Sequence, residues 1–484
     1  MESVVRKHNN TRFVFFMILS LLFTSGCKVL TDIPDVKLNQ TMLLDQPIDL
    51  KGRIWRLPRN AIIKGVHHGA LKNGFVIGDS SSLINMQLSN VRLSGNFKDV
   101  IITLQSDMDS LILSNTSFLN LSINGNKHII GTSNFGLFRN CDIRLSNISF
   151  DCKNAQSPFL YLISYNKNKF VVENCQFKNI PEIELLMPRG IQNPTIRNCT
   201  FEGLVTPKVK RKQKKIALIR FYSCYDTVIF EGNTVRNCFG IAVDGIGFSD
   251  EKKNSLNIKG NIIENVTNGG IVFNGGIINN TVVEDNHISN VFCYGKQFDD
   301  EIGWAENAAI NFHGFKNLVI RNNTIENCKH SSAIDIDGTL STDASVRKGE
   351  DVQIEGNTFN KITNPILYGV SNAKINNNFF SFIDAEASIG SESGLIINSC
   401  DDVKVNNNRF TVSDTSSHEM FPIVVRQKKG RTSGKIEIKD NNIRTNGSAF
   451  LKISKGFTGV LDVLHNDAIS TTTRKPLRVI DGTK

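Results

Sequence analysis

An all-β solenoid, in which short parallel strands coil around one continuous core, is the fold this sequence predicts, on three observations. First, a short motif recurs: a β-forming residue, any residue, Asn, Gly or Asp, then Asn, any residue, and Ile, Phe or Val. Its copies are IFEGNTV (229–235), IKGNII (258–263), VEDNHI (283–288), IRNNTI (320–325), IEGNTF (354–359), INNNFF (375–380), VNNNRF (405–410) and IKDNNI (438–443). The last Asn of each copy forms a column: Asn233, Asn261, Asn286, Asn323, Asn357, Asn378, Asn408 and Asn441. Second, successive column residues lie 21 to 37 positions apart, a length that suits a coil of three short strands. Third, the flanking residues are β-branched and alternate with period two, which disfavours helical repeats.

Residues 318–338, LVIRNNTIENCKHSSAIDIDG, show one such coil. Ile320, Asn323, Ile325 and Cys328 make one inward pattern. Ile334 and Ile336 make a second, with Asp335 and Asp337 on the opposite face of that strand. The same frame continues upstream with Thr116, Ile148, Cys175 and Cys199 in the Asn column. An Asn stacked on its counterpart can pass amide hydrogen bonds along the axis at about 4.8 Å per rung, and a left-handed Asn can turn the chain between strands.

This pattern resembles the right-handed parallel β-helix of the pectate-lyase-like superfamily over about residues 60 to 465. The expected fold is thus all-β, a single-stranded right-handed parallel β-helix with caps at both ends. Residues 28–60, which lack the motif, are expected to form the N-terminal cap, 61–465 the solenoid, and 466–484 a C-terminal cap or tail. GALKNGFVIG (69–78) looks like an opening coil.

Composition describes an ordinary globular protein, with 40% hydrophobic and 21% charged residues in 484. Residues 1–27 read as a signal peptide: Arg6, Lys7 and Arg12 precede an apolar run from Phe13 to Phe23, too short to span a bilayer. Thr24, Ser25, Gly26 and Cys27 resemble a bacterial lipobox, which implies a lipid on Cys27 and an outer-membrane or cell-surface protein. Cleavage at an ordinary signal-peptidase site, giving a periplasmic protein, is the alternative. Nine of the ten cysteines lie after Cys27, an odd number, and Cys175, Cys199, Cys238 and Cys328 fall on core positions, which argues for buried hydrophobes instead of disulfides. No Cys/His spacing suggests zinc. The net charge of +10 favours an anionic polysaccharide or lipid headgroups as partner, while export argues against nucleic acid.

A second strand in each coil also aligns: IRFY (219–222), IAVD (241–244), IVFN (271–274), INFH (310–313), IDID (334–337), ILYG (366–369) and LIIN (395–398). Its fourth, outward column reads Tyr222, Asp244, Asn274, His313, Asp337, Gly369, Asn398. Its second reads Arg220, Ala242, Val272, Asn311, Asp335, Leu367, Ile396. Stacking sets Tyr222 beside Asp244 and His313 beside Asp337, whereas Asp244 and Asp337, three coils apart, are separated by about 14 Å. That is too far for a pair of glycosidase carboxylates, and Asp335 with Asp337, about 6–7 Å apart, is within range of the inverting arrangement. His313 beside Asp337 also makes a base held in one tautomer by a carboxylate.

The longest intervals in the ladder cluster around these coils, as expected of insertions that build the rim of a binding face. Residues 291–307 bring Tyr294, Phe298 and Trp304, suited to sugar faces, together with Asp299, Asp300 and Glu301. That acidic triplet offers oxygens to calcium but lacks the alternating spacing of a calcium loop, so no cofactor is assigned. Residues 207–215 carry a basic run including Lys212 that leads into the Arg220 strand, and 338–351 adds Arg347 and Lys348.

The resemblance implies polysaccharide lyases, glycoside hydrolases, esterases and epimerases, alongside tailspike and adhesin parts. Phe312-His313-Gly314 and Asp335-Ile336-Asp337-Gly338 only faintly echo polygalacturonase motifs, and the metal-binding acids and catalytic arginine of pectate lyases have no counterpart. The expectation is an exported protein that cleaves an acidic polysaccharide with His313, Asp337, Asp335, Arg220 and Tyr222, aided by Asp244, Asn274, Asn311, Trp304 and Lys212. As a lyase, Arg220 or a rim lysine would neutralise a uronate while His313 or Tyr222 takes the C5 proton. As a hydrolase, Asp337 would be the acid and Asp335 the base. The rival is a glycan-binding or adhesive solenoid without catalysis.

Overall fold

A computed structural model describes residues 33–482, apart from 68, 105–110, 126–127, 131–135, 140–141, 154, 156–157, 165–167, 205–216, 245–254, 275–277, 293–307, 330, 339–348, 384–393 and 413–419. The strands are parallel, and their pairing gives three ladders that run the length of the molecule. One coil shows all three. Phe315–Arg321 lies in the first ladder between Ile278–Glu284 and Gly349–Glu355. Thr324–Cys328 lies in the second between His287–Phe292 and Thr358–Ile362. Ser332–Asp337 lies in the third between Ala308–His313 and Ile366–Tyr368. The second and third ladders meet in one long strand, Ile262–Asn274, which pairs with a strand of each. This is the expected parallel β-helix.

The core is a set of like-on-like stacks. Ile320, Asn323, Ile325, Cys328, Ile334 and Ile336 are all buried, as the alternation requires. Phe150, Phe177 and Phe201 stack face to face at 4.7 and 5.0 Å, and Phe359, Phe380 and Phe410 at 4.8 and 4.9 Å. Identical side chains one rung apart meet at strand spacing, so each coil repeats the contact of the last. Cys175, Cys199, Cys238 and Cys328 are buried, and every described cysteine is free. Burial pushes the Cys152, Cys224 and Cys328 thiols up to about 12, as expected of packing groups.

The Asn column stands at the corner between the first and second ladders. Asn233, Asn261, Asn286, Asn323, Asn357, Asn378, Asn408 and Asn441 are buried. Each Oδ1 accepts from the residue one coil before: Asn323 Oδ1 takes the Asn286 N–H and its Nδ2–H, both at 2.9 Å. Each Nδ2 also donates to a carbonyl, as Asn323 does to Val283 at 2.9 Å. The amide is thus satisfied by partners from neighbouring coils, a condition for its burial. The left-handed turn lies one residue earlier than expected. Gly232, Gly260, Asp285, Asn322, Gly356, Asn377, Asn407 and Asp440 have positive φ, and the column Asn does not. The motif's third position, limited to Gly, Asn or Asp, makes the bend because these residues tolerate that conformation.

The stack extends beyond both ends of the repeated motif. Thr41–Leu44, inside the segment expected as a cap, pairs in parallel with Ile62–Gly65. At the other end Asn466 accepts from Asn441, and Asp467–Ser470 pairs with Asn442–Thr445, which adds a coil.

Candidate functional site

The third ladder carries the outward columns, and the connections around it are unequal. Between first and second ladders the chain turns at the tight Asn corner. Residues 205–216, 293–307, 384–393 and 413–419 lie on the way into the third ladder, and 245–254, 275–277 and 339–348 on the way out. In chain order, each of these segments is flanked by a strand of the third ladder.

On that face the register is Tyr222, Asp244, Asn274 in the fourth column, with His313 beside Asp337 further along. His313 Nδ1 lies 3.8 Å from Asp337 Oδ2, with side chains 23% and 20% exposed. The distance is longer than a hydrogen bond. Asn311 pairs in register with Asp335 one rung on. The Asn311 amide is fully buried, and neither its Oδ1 nor its Nδ2 has a hydrogen-bond partner among the described residues. Such an amide costs about 1–3 kcal/mol and marks a polar position kept for something other than folding.

Ala242, Val272 and Ile396 in the second column point outward yet are buried, so much of this column is covered, while Arg220, Asp335 and Ile366 are half-buried. The frame also needs correction at residues 366–369. Asp335 pairs with Ile366, Ile336 with Leu367 and Asp337 with Tyr368, so Tyr368 and not Gly369 continues the fourth column, and Leu367 is buried in the core. A one-residue slip exchanges the two faces of a strand. The glycines carry the signal that fixes the frame: His313-Gly314, Asp337-Gly338 and Tyr368-Gly369 align. A Cβ on Gly338 would sit 2.4 Å from the Gly369 carbonyl oxygen.

Arg220 and Tyr222 belong to a different part of the face. Arg220 Nε donates to Glu184 Oε1 at 2.6 Å, with both side chains largely covered, 12% and 17% exposed. Three rungs, about 14 Å, separate Arg220 from Asn311 along the second column. Tyr222 lies under the Arg189 guanidinium at 4.7 Å, and Arg189 Nη1 donates to the Tyr161 hydroxyl at 3.3 Å. The ladder thus brings together His313, Asp337, Asp335 and Asn311, and leaves Arg220 and Tyr222 apart from them. Asp244 and Asn274 keep their column positions on the backbone between the two groups. Cys27, Lys212 and Trp304 lie outside the described residues, as do Arg347, Lys348 and the acidic triplet. Among the described residues no cluster of His, Cys, Asp and Glu suits a metal ion.

Residues 153–300 match the family described as right handed beta helix region, and the match agrees with the parallel strand stacking seen along the chain. No curated protein sequence matches the chain. Among solved structures it is similar to the Dettilon tailspike protein (gp208), at 12% identity and a TM-score of 0.27, with 77% of this chain covered. The chain spans 62% of the tailspike's length. It is also similar to the Streptococcus pneumoniae surface protein and adhesin PfbA, at 12% identity and a TM-score of 0.25, covering 86% of this chain and 92% of PfbA. A third is the periplasmic alginate epimerase AlgG, at 8% identity and a TM-score of 0.20, covering 88% of this chain and 84% of AlgG.

Proposed function

We propose that the protein is an exported enzyme that cleaves an acidic polysaccharide laid along its third ladder, with the chemistry at His313 and Asp337. The 3.8 Å contact between His313 Nδ1 and Asp337 Oδ2 on the outward column carries this reading. With substrate bound the contact closes to a hydrogen bond, which fixes the tautomer and leaves Nε2 as the base. A ladder repeating one polar position per rung suits a linear polymer, and the net charge of +10 suits an anionic one.

With a uronate as substrate, the step is β-elimination. Nε2 takes the C5 proton, the C5–H pair becomes the C4–C5 double bond, and the C4–O bond breaks. The leaving oxygen takes a proton from water. Hydrolysis is the second reading, favoured by one observation: Arg220, the cation expected to neutralise the uronate, is held by Glu184 about three rungs away. In that case Asp337 protonates the leaving oxygen and Asp335 activates water.

The test is incubation of the protein with acidic polysaccharides, reading new reducing ends and ultraviolet absorbance together. Elimination gives both signals, hydrolysis only reducing ends, and binding alone neither. A protein that retains glycan but gives neither signal with any substrate would overturn cleavage.

A further inference from the structure

We infer that Tyr368, Lys428 and Arg431 form a subsite that takes the anionic group of a sugar, a carboxylate or a sulfate, in the part of the polymer lying C-terminal to His313. The inference rests on the polysaccharide reading above and adds where the charge is recognised.

Tyr368 follows Asp337 on the outward column, so it lies two rungs, about 10 Å, from His313. Two cations lie over its ring: the Arg431 guanidinium at 4.8 Å from the centroid and the Lys428 ammonium at 5.7 Å. Both come from the segment after strand Ile423–Arg426, and that segment is built, not loose. The Arg431 N–H donates to the Lys428 carbonyl at 3.0 Å, which closes a turn in which Gly430 has a φ of 80°. The Lys428 N–H donates to Ser399 Oγ at 2.9 Å, and Gln427 Nε2 donates to the Arg431 carbonyl at 2.5 Å. Gln427 Oε1 in turn accepts from the Thr458 N–H at 3.0 Å and its hydroxyl at 3.1 Å.

Neither cation has a carboxylate partner among the described residues, whereas Arg321 and Lys435 on the first ladder pair with Glu284 and Asp462. An independent observation points the same way: the Tyr368 hydroxyl is buried and has no hydrogen-bond partner among the described residues. Cations resting on a ring need only the ring, and a phenylalanine would serve them equally. A buried phenolic O–H beside two positive charges is instead the donor set for an anion, since hydrogen bonds to a charged acceptor are the stronger kind. The fourth column supplies no acid to compete on the C-terminal side, where Asn398 and then Arg426 follow. On the other side stand Asp337, His313 and Asp335. The face is thus acidic at the reaction centre and basic one to three rungs beyond it, which sets a direction for an anionic chain.

The experiment measures binding in a His313→Ala background, so that turnover plays no part. The probes are oligogalacturonate for a carboxylate, a sulfated galactan oligosaccharide for a sulfate, and xylohexaose as a neutral control. Replacing both Lys428 and Arg431 with Gln is expected to weaken the preferred anionic probe at least about tenfold and to flatten its salt dependence. Xylohexaose affinity is expected to stay unchanged. Tyr368→Phe keeps the ring and both cations, and is expected to weaken the same probe by about five- to tenfold. Whichever anionic probe responds identifies the group. Anionic affinity unchanged from the His313→Ala parent in both Tyr368→Phe and the double variant would overturn the subsite, as would a parent that binds neither anionic probe. If the double variant does not fold, Tyr368→Phe alone decides. A subsite that responds as expected in a protein that never cleaves leaves this inference standing and removes only the catalytic reading.

Discussion

Asn357 Oδ1 accepts two hydrogen bonds from Asn323, one from its backbone N–H at 2.9 Å and one from its Nδ2 at 3.0 Å. Asn323 Oδ1 accepts the same two from Asn286, so one side chain serves the coils on both sides of it. Asn323→Ala is expected to leave the Asn286 N–H and the Val283 carbonyl buried without their partner. The expected loss is about 2–4 kcal/mol, read as a lower denaturant midpoint. Asn323→Asp is expected to be as damaging, because it keeps the acceptor but loses the donor. A variant as stable as wild type would show that the ladder contributes nothing to holding the coils.

His313→Ala and Asp337→Asn are expected to lower turnover by about 10²- to 10⁴-fold while stability changes by less than about 1 kcal/mol, since both side chains lie on the outward column. Initial rates and thermal melts on the same preparations check this. A fall in melting temperature that matches the fall in rate would make the pair structural.

Arg220→Ala is expected to behave in the opposite way. It removes a short charge-assisted hydrogen bond from the largely covered Glu184, which costs about 1–3 kcal/mol, while glycan turnover at the folded protein is largely kept. Arg220→Ala combined with Glu184→Gln is expected to recover part of the lost stability. Complete loss of turnover in a folded Arg220→Ala protein would instead return the arginine to the reaction centre.

How legible all of this was differs from residue to residue. The coil could be read because the Asn column needs one residue type at one corner and strand alternation needs two faces. The outward place of His313 and Asp337 followed from the same alternation. Tyr368 was hidden because ILYG has apolar residues on both faces, and only the glycine after each outward residue sets its frame. Glu184 lies in a stretch without the motif, 36 residues before Arg220, and nothing local links the two. The cover over Val272 and Asn311 is a tertiary fact, and alternation by itself knows only which way a side chain points.

Glu284 gives the protein a response to acid. The Arg321 guanidinium that donates to it, and then Lys259, hold its carboxyl below the usual range against the opposing effect of burial. A carboxyl lowered in the folded state contributes stability above its unfolded value of about 4.3, and loses that contribution as the pH falls through the folded value. Glu284→Gln is therefore expected to be less stable than wild type at neutral pH, with the difference closing below about pH 4. Denaturant midpoints across that range check it. A difference that persists in strong acid would assign the effect to packing.

Cys224 and Cys328, with thiols pushed up to about 12 by burial, are expected to resist a thiol-specific reagent at neutral pH until the protein unfolds. Peptide mapping of labelled native protein checks this. Rapid labelling of either would show that the coil opens locally around it.

The hydrogen bonds between coils, those of the Asn ladder included, run along the axis of the solenoid. A pull on the two ends of the molecule therefore loads them in series, one coil after another, and never all together as in a sheared sandwich. The chain should give way rung by rung, each release freeing some thirty residues or on the order of 100 Å of length. Under tension the molecule would then lengthen gradually, one coil at a time, before the last contacts between its ends were lost.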